Sequence, residues 1–279
     1  MQTLAQIREL LGSRGLAPSK ALGQNFLIDH NLIRKLVDAS GVGSGDLVLE
    51  VGPGTGTLTE ELIDRGCEVV ACEMDRGLAE LLGDGLFHPG KSLKGPKRST
   101  LIVGDCLASK RGINPEITAA LAGRPFRLVA NLPYGAATPL MLALLVGHPE
   151  CGSMFVTIQR EVADRLLAGP STKEYGPISI VAQALCRVEK LATLPPECFW
   201  PRPDVTSAMV SLVRRSDPLT ADPGRLADFC QKVFMKRRKQ LGGVVGRRTA
   251  WPEGVRPENR IEELSVAQAV ALAAAVDTL

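Results

Sequence analysis

The sequence predicts an α/β protein, with a doubly wound parallel sheet followed by a small helical region at the C-terminus. Several short runs of branched apolar residues have the length and composition of buried parallel strands. These strand candidates are residues 47–51, 68–74, 101–103 and 126–130. A helical pattern at 57–65 separates the first two, and such alternation is typical of a parallel sheet. The composition changes at 216–223, and the pattern beyond it is helical.

Other parts of the first 170 residues are assigned from periodicity and apolar content. The helix candidates are residues 1–17, 31–39, 140–146 and 160–167. In the first of these, Leu4, Ile7 and Leu11 recur at helical spacing. Residues 83–100 are rich in Gly, Pro, Lys and Ser, which predicts an exposed insertion that contains Lys91, Lys94, Lys97 and Arg98.

The last third of the chain completes the predicted architecture. Residues 178–185 and 208–213 are apolar and branched, so we predict two strands that pair antiparallel at the sheet edge. The connection between them contains several prolines, which cannot lie in a central strand. Residues 226–241 and 261–276 are predicted helices. The predicted domains are therefore residues 1–215, with 1–17 as an N-terminal helical extension, and residues 216–279 as a helical domain.

Composition excludes several classes of protein. The chain has 279 residues, a net charge of +3, 45% hydrophobic and 23% charged residues, which excludes a mainly disordered or collagen-like chain. No apolar run approaches the ~20 residues of a membrane helix, and no secretory signal follows Met1. We therefore expect a cytoplasmic protein without a membrane partner. The seven cysteines contain no C-x-x-C pair and the three histidines are far apart, so we predict neither a metal site nor disulfides.

Positive charge is concentrated in one segment. Residues 214–248 hold ten basic and three acidic side chains, a local net charge of +7 that exceeds that of the whole chain. Such a concentration favours a polyanionic partner. A solvent-exposed helix face has the same composition, so charge alone leaves both interpretations open.

A glycine-rich turn follows the first predicted strand and precedes a helix. Its glycines, Gly52, Gly54 and Gly56, let the backbone turn tightly and approach a ligand. Glu73 follows 21 positions after Gly52, where a carboxylate can accept hydrogen bonds from both ribose hydroxyls. The spacing G-x-G-x-G departs from the dinucleotide pattern, and Glu50 beside the turn disfavours a pyrophosphate. S-adenosyl-L-methionine, which has a sulfonium and no phosphate, fits this nucleoside pocket; a purely structural glycine turn is the alternative.

Two polar turns follow the third and fourth strands. Asp105 can accept a hydrogen bond from the adenine amino group of the cofactor, although Gly-Asp is also a common turn. Asn131-Leu132-Pro133-Tyr134 gives the sharper signal. The Asn131 side-chain oxygen and a backbone carbonyl can accept both hydrogens of an exocyclic amine, while the Tyr134 ring stacks on its base. This arrangement favours methyl transfer driven mainly by positioning, with a simple Asx-Pro turn as the structural alternative.

These motifs occur in the order found in the ribosomal RNA adenine dimethyltransferases, and the chain resembles that family over roughly residues 18–245. Within the family it is similar to the KsgA/RsmA-type enzymes of small-subunit rRNA. The segments that carry the resemblance are residues 23–27, 50–56, 73–75, 104–105, 131–134, 159–166, 199–205, 207–208 and 237–239.

The resemblance implies a Rossmann-like class I methyltransferase sheet with a small helical C-terminal domain that binds RNA. It implies an enzyme that dimethylates the N6 amines of two adjacent adenosines near the 3′ end of 16S rRNA, in the immature small ribosomal subunit. The implied methyl donor is S-adenosyl-L-methionine, with no metal, and the implied state is a monomer. The residues that it assigns to the cofactor are Asn25, Leu27, Gly52, Gly54, Glu73, Asp105 and Asn131. Those that it assigns to the flipped base and its amine are Asn131, Leu132, Pro133, Tyr134 and Phe199. Those that it assigns to RNA phosphates are Arg202, Arg237, Arg238 and Lys239.

Two local departures from the family pattern stand out. Gly135-Ala136-Ala137-Thr138 replaces a more polar sequence after Tyr134, which affects loop packing more than chemistry. Gly242-Gly243 stands where the family usually has an asparagine, and a glycine pair weakens a helix.

Three other functions stay open from the residues alone. The related large-subunit rRNA adenine N6-methyltransferase is the nearest alternative, and a non-catalytic ribosome assembly factor is another. The intact Glu73, Asp105 and Asn131 argue against lost catalysis. A nicotinamide-dependent dehydrogenase is disfavoured because the glycine spacing does not fit G-x-G-x-x-G.

Overall fold

The computed structural model describes residues 1–88, 99–109, 112–246 and 249–276. The helices are α1 (Leu4–Ser13), α2 (His30–Ser40), α3 (Thr57–Asp64), α4 (Arg76–Asp84), α5 (Pro115–Leu121), α6 (Ala137–Gly147), α7 (Arg160–Leu167), α8 (Pro177–Leu185), α9 (Pro223–Phe234) and α10 (Val266–Ala275). The strands are β1 (Phe26–Leu27), β2 (Leu47–Val51), β3 (Glu68–Glu73), β4 (Thr100–Val103), β5 (Leu107–Ser109), β6 (Gly112–Ile113), β7 (Phe126–Asn131), β8 (Cys151–Gln159), β9 (Cys186–Leu194), β10 (Phe199–Trp200) and β11 (Ser207–Arg214). None of the helices in these ranges is both long and apolar enough to cross a bilayer.

A seven-stranded sheet in the order β4-β3-β2-β7-β8-β11-β9 forms the centre of the fold. The strands β2, β3, β4, β7 and β8 are parallel, whereas β11 runs antiparallel to both of its neighbours. The strand β2 is buried along its whole length, as a central parallel strand covered on both faces must be. The chain builds outward from β2 to β4 and then returns to the other side at β7. The carboxyl ends of β2 and β7 therefore flank the switch point, where such sheets bind ligands.

One predicted strand is wrong. Residues 178–185 form the helix α8, which packs against α6, α7, α9 and α10. Because helices cover α8 on several sides, almost all of its side chains are apolar and buried, and the sequence lacks the polar face that distinguishes a helix from a strand. The predicted strand at 208–213 is confirmed as β11, but it pairs with β8 and β9, neither of which the sequence reading identified.

The two predicted C-terminal helices are shorter than expected. The helix α9 ends at Phe234, and turns that contain Arg237, Arg238 and Lys239 follow it, so these basic residues do not lie on a helix. The last helix begins at Val266, after a short 3₁₀ turn at Ile261–Glu263. Buried side chains of α9 and α10 belong to the same apolar cluster as those of the sheet. The division into domains at residues 215 and 216 stays a prediction.

The first residues of the predicted exposed insertion are packed against the fold. The helix α4 continues to Asp84, and Leu86 and Phe87 then pack, partly buried, against the apolar side chains around α1 and α4. The predicted exposure is therefore wrong at residues 85–87, whereas Asp84 and His88 are exposed. Lys91, Lys94, Lys97 and Arg98 lie outside the described residues.

Arginines of the basic segment hold helix ends and loops together. Arg214 donates hydrogen bonds to the carbonyls of Leu144, Leu145, His148 and Cys151 at 2.8–3.1 Å, which caps the C-terminus of α6. Arg225 does the same for the end of α10, through the carbonyls of Ala273, Ala274 and Val276. Part of the positive charge at 214–248 thus serves the fold.

Replacing Arg214 by leucine removes the side-chain donor from all four carbonyls, although those of Leu144 and His148 each keep a backbone N–H. We therefore expect Arg214→Leu to lower the free energy of unfolding by about 2–4 kcal/mol. Urea denaturation followed by circular dichroism measures the change. Arg34→Leu, at an exposed arginine of α2, is the control and should change stability by less than about 0.5 kcal/mol. Equal effects of the two substitutions would contradict a capping role.

Candidate active site

One cavity at the carboxyl ends of the parallel strands brings together most of the residues that the sequence singled out. Its walls include Asn25, Leu27, Gly52, Gly54, Glu73, Asp105, Asn131, Leu132, Pro133 and Tyr134. These residues come from five separate segments of the chain. Their convergence follows from the strand order, because β2, β3, β4 and β7 all end at this edge of the sheet.

The glycine turn is packed too closely for side chains. Gly52 and Gly54 have φ angles of +70° and +61°, in the left-handed region. A Cβ atom on Gly52 would lie 2.9 Å from Cγ of Pro133, and one on Gly54 would lie 2.8 Å from the Phe26 ring. The turn is therefore in direct contact with both the turn after β7 and the strand β1.

Glu73 is held by the backbone of the glycine turn. One carboxylate oxygen accepts a hydrogen bond from the Gly54 N–H at 3.0 Å, and the other accepts one from the Asp75 N–H at 2.9 Å. The side chain is buried, and this burial raises its pKa. Because each carboxylate oxygen can accept more than one hydrogen bond, Glu73 keeps acceptor capacity toward the cavity.

Glu50 is a second buried carboxyl group in the same wall. Its side chain is only 1% exposed, and Oε2 has no hydrogen-bond partner among the described residues. Burial raises the pKa of Glu50 to about 8, and the nearby charge of Glu73 acts in the same direction. At neutral pH the group is therefore largely protonated, a property that the sequence does not reveal.

The turn after β7 is fixed from both sides. The Asn131 amide nitrogen donates to the Asn25 carbonyl at 3.0 Å, so the amide oxygen is the atom that a ligand amine would contact. The Leu132 N–H donates to the Thr157 carbonyl on β8 at 3.0 Å. The Tyr134 hydroxyl lies 3.0 Å from Ser207 Oγ on β11. The sequence reading gave no role to Thr157 or Ser207; the only signal was that Ser207 stood within the family resemblance.

Phe199 lies away from the walls that the described residues form. It is 3% exposed, belongs to the two-residue strand β10, and pairs with Leu27 of β1. Its ring packs in an apolar cluster that also contains Leu194 and Met209. In this conformation Phe199 is a core residue that supports the cavity wall, and its expected contact with a base stays a prediction.

The four predicted phosphate-binding residues differ in what they contact. Arg202 is exposed and forms an ion pair with Glu197 at 2.5 Å. Arg237 points inward, where it pairs with Glu262 and donates to the carbonyls of Thr172 and Lys173. Arg238 and Lys239 are exposed. The geometry therefore leaves Arg238 and Lys239 more accessible to a polyanion than Arg237.

The buried carboxyl group of Glu50 gives a pH prediction. Its pKa is about 8 in the folded protein and about 4.5 in the unfolded chain, so stability falls as pH rises between these values. Glu50→Gln has no group at this position that titrates, so its stability should not show this loss. Between pH 5 and pH 8.5, the difference in free energy of unfolding between Glu50→Gln and the native protein should therefore shift in favour of Glu50→Gln by on the order of 1–3 kcal/mol. Urea denaturation over this range measures it. The exposed Glu80→Gln serves as the control, and parallel curves for all three proteins would show that Glu50 is ionised in the fold.

Comparison with known proteins identifies the family of the chain. The profile of the ribosomal RNA adenine dimethylase family matches residues 17–277. The chain is 38% identical to a protein of Phenylobacterium zucineum named ribosomal RNA small subunit methyltransferase A, and the match covers 98% of this chain and 93% of that protein. It is also 38% identical to a protein of the same name from Leifsonia xyli, with 97% of this chain and 96% of that protein covered.

Solved structures show the same fold. A dimethyladenosine transferase from Plasmodium falciparum has a TM-score of 0.67 at 20% identity, over 88% of this chain and 95% of that one. The 23S rRNA methyltransferase ErmE has a TM-score of 0.65 at 24% identity, and the match covers 91% of this chain and 100% of that one. The predicted Rossmann-like class I methyltransferase fold is confirmed. With a family profile that spans nearly its whole length, the chain belongs to the ribosomal RNA adenine dimethylase family.

Proposed function

We propose that this protein transfers methyl groups from S-adenosyl-L-methionine to the N6 amines of two adjacent adenosines near the 3′ end of 16S rRNA. The family and the names of the relatives support this assignment. The observation that carries it is the Asn131 turn, which lies against the glycine turn with its amide oriented by the Asn25 carbonyl. This contact supports our assignment of Asn131 as an amine acceptor beside the proposed nucleoside pocket.

The chemistry of the cavity walls fits the donor. The glycine turn lines the cavity without side chains, and Glu50 contributes a buried oxygen without a partner among the described residues. We assign Glu73 to the ribose hydroxyls, Asp105 to the adenine amino group, and Asn25 and Leu27 to the facing wall. When bound, S-adenosyl-L-methionine supplies an electrophilic methyl group on a sulfonium sulfur.

The turn after β7 would orient the adenine amine. The Pro133 carbonyl already accepts the N–H groups of Ala136 and Ala137, so the Leu132 carbonyl is the available backbone acceptor. Together with the Asn131 oxygen, it would accept both amine hydrogens and leave the nitrogen lone pair facing the donor. Because the amine becomes acidic only after it is alkylated, the residues contribute positioning more than proton abstraction.

Double methylation follows from the same geometry. After the first transfer the amine keeps one hydrogen, which a single acceptor can hold. The second transfer then needs space for the first methyl group and no new chemistry. We infer that the Asn131 turn serves both transfers.

On the RNA side, we assign Arg202, Arg238 and Lys239 to phosphates and propose that the protein acts as a cytoplasmic monomer on the immature small subunit. The base would leave its stack to reach the cavity. A large-subunit substrate is not favoured, because the relatives are named for the small subunit.

The direct test incubates the purified protein with radiolabelled S-adenosyl-L-methionine and small subunits that lack dimethyladenosine. We expect label in N6,N6-dimethyladenosine of 16S rRNA, detected by nucleoside analysis. Large subunits are the parallel substrate. Label in 23S rRNA alone, or binding to small subunits without transfer, would overturn the proposal in favour of the large-subunit enzyme or the assembly factor, respectively.

Asn131→Ala removes the amide that holds the amine, so we expect kcat to fall by about 10²–10³-fold. The dissociation constant for S-adenosylhomocysteine, measured by calorimetry, should change much less. Asn31→Ala, at an exposed position of α2, is the matched control. Transfer at the native rate by Asn131→Ala would exclude Asn131 from the chemistry.

The two neighbouring arginines should behave differently in RNA binding. Arg238→Gln removes a phosphate contact, so the slope of log K against log salt should decrease by about 1. Arg237→Gln should leave this slope unchanged and lower the melting temperature, because Arg237 bonds to Glu262 and to backbone carbonyls. Filter binding to 16S rRNA at several salt concentrations measures the slope. A smaller slope for Arg237→Gln with unchanged stability would instead place Arg237 on the RNA.

A further inference from the structure

Ser207 is a buried polar residue on the antiparallel strand β11 that contacts a ring lining the cavity. It begins β11, opposite Gln159 of β8 and Leu194 of β9, and it has no exposed surface. Its hydroxyl lies 3.0 Å from the Tyr134 hydroxyl, and 73 residues separate the two in sequence. This is a contact between a core strand and a ring that lines the cavity.

The contact joins the far end of the Tyr134 ring to a rigid support. The ring is attached to the turn after β7 only through its Cβ, and rotation about the side-chain bonds would move its face. A hydrogen bond at the hydroxyl fixes the direction of the axis from Cβ to the oxygen. Because a phenolic O–H prefers to lie in the plane of its ring, the position of Ser207 Oγ also favours one rotation of the ring about that axis. Burial raises the pKa of Tyr134, so the phenol stays protonated at neutral pH and the bond joins two neutral hydroxyls.

The same turn is held at two other atoms by other segments. The Asn25 carbonyl fixes the Asn131 amide, and the Thr157 carbonyl fixes the Leu132 N–H. Both of these contacts set the acceptors of the amine, whereas the Ser207 contact alone acts on the ring. The orientation of a base is fixed only when its amine and its plane are both fixed.

We propose that Ser207 is a positioning residue for methyl transfer, which holds the Tyr134 ring in the plane against which the target base stacks. This inference rests on the proposed function. We expect Ser207 to affect the reactive orientation of the base and not the affinity for RNA. Phosphate contacts dominate RNA affinity, and the residues that we assign to phosphates lie elsewhere.

The test is a double-mutant cycle of Ser207→Ala, Tyr134→Phe and the double variant, with undermethylated small subunits as substrate. We expect each single variant to lower kcat by about 3–10-fold, with KM for the subunits and the dissociation constant for S-adenosylhomocysteine within about 2-fold of the native values. The double variant should be no slower than the slower single variant. Multiplicative effects would overturn the proposal, because Ser207 would then act independently of the Tyr134 hydroxyl.

Ser211→Ala is the matched control. Ser211 is also buried on β11 and points to the same face of the strand as Ser207, since the two are four residues apart. It lies opposite Phe155, farther from the carboxyl end of β8. We expect Ser211→Ala to leave kcat unchanged. A loss of kcat in Ser211→Ala equal to that in Ser207→Ala would show a general defect of the strand and overturn the proposal.

A spectroscopic readout separates this proposal from the proposed function. The chain has only two tyrosines, so ¹³C-tyrosine labelling gives two Cζ resonances. Ser207→Ala should shift the Tyr134 resonance, which is assigned by its absence in Tyr134→Phe. The Tyr175 resonance should not change, because the Tyr175 hydroxyl donates to the Leu264 carbonyl instead. An unshifted Tyr134 resonance would overturn the contact. A shifted resonance in a protein without methyl transfer would overturn the proposed function and support the Ser207–Tyr134 contact.

Discussion

The close approach of two turns at the switch point of the sheet is the constraint on which the site depends. The glycine turn after β2 and the Asn131 turn after β7 touch so closely that a Cβ on Gly52 would lie 2.9 Å from the Pro133 ring. Neither turn can therefore be displaced without the other. Because β2 and β7 are hydrogen-bonded neighbours, the spacing of the strands sets the distance between the two turns. A pocket for a nucleoside and an acceptor for an amine are thus built at a fixed separation.

Two buried carboxyl groups beneath these turns have different hydrogen-bond partners. Glu73 accepts two backbone N–H groups, which favour the charged form and oppose the effect of burial. Glu50 is more deeply buried, and one of its oxygens has no partner among the described residues. Its pKa of about 8 keeps it mostly neutral at pH 7. A positively charged ligand group beside Glu50 would favour its ionisation, so ligand binding and proton release are expected to be coupled at this wall.

The sequence predicted four of the five parallel strands, β2, β3, β4 and β7, and most of the residues that it singled out line one cavity, because both depend on local signals. Strands of the type of β2 are short, branched and apolar, and the site motifs stand directly after them. The wrong assignment of α8 has a physical cause, which is that burial on all sides removes the helical period from the sequence. The helix α8 is covered by four other helices and looks like a strand in sequence. The contacts of Arg237 could not be predicted either, because nothing in the local sequence distinguishes an arginine that donates to carbonyls from one that binds phosphate.

The two halves of the sheet support different parts of the site. Residues assigned to the donor follow the parallel strands β2, β3 and β4 or precede α2, whereas the Asn131 turn is also held by Thr157 on β8 and Ser207 on β11. Parallel strands end together at one edge and surround a ligand with turns, and the parallel strand β8 also supports the Asn131 turn through the Thr157 carbonyl. The antiparallel strand β11 begins at that edge, next to the end of β8, and its first residue can therefore reach the ring of Tyr134. The reversed strand thus adds a second support on the substrate side of the cavity, at the hydroxyl of Tyr134.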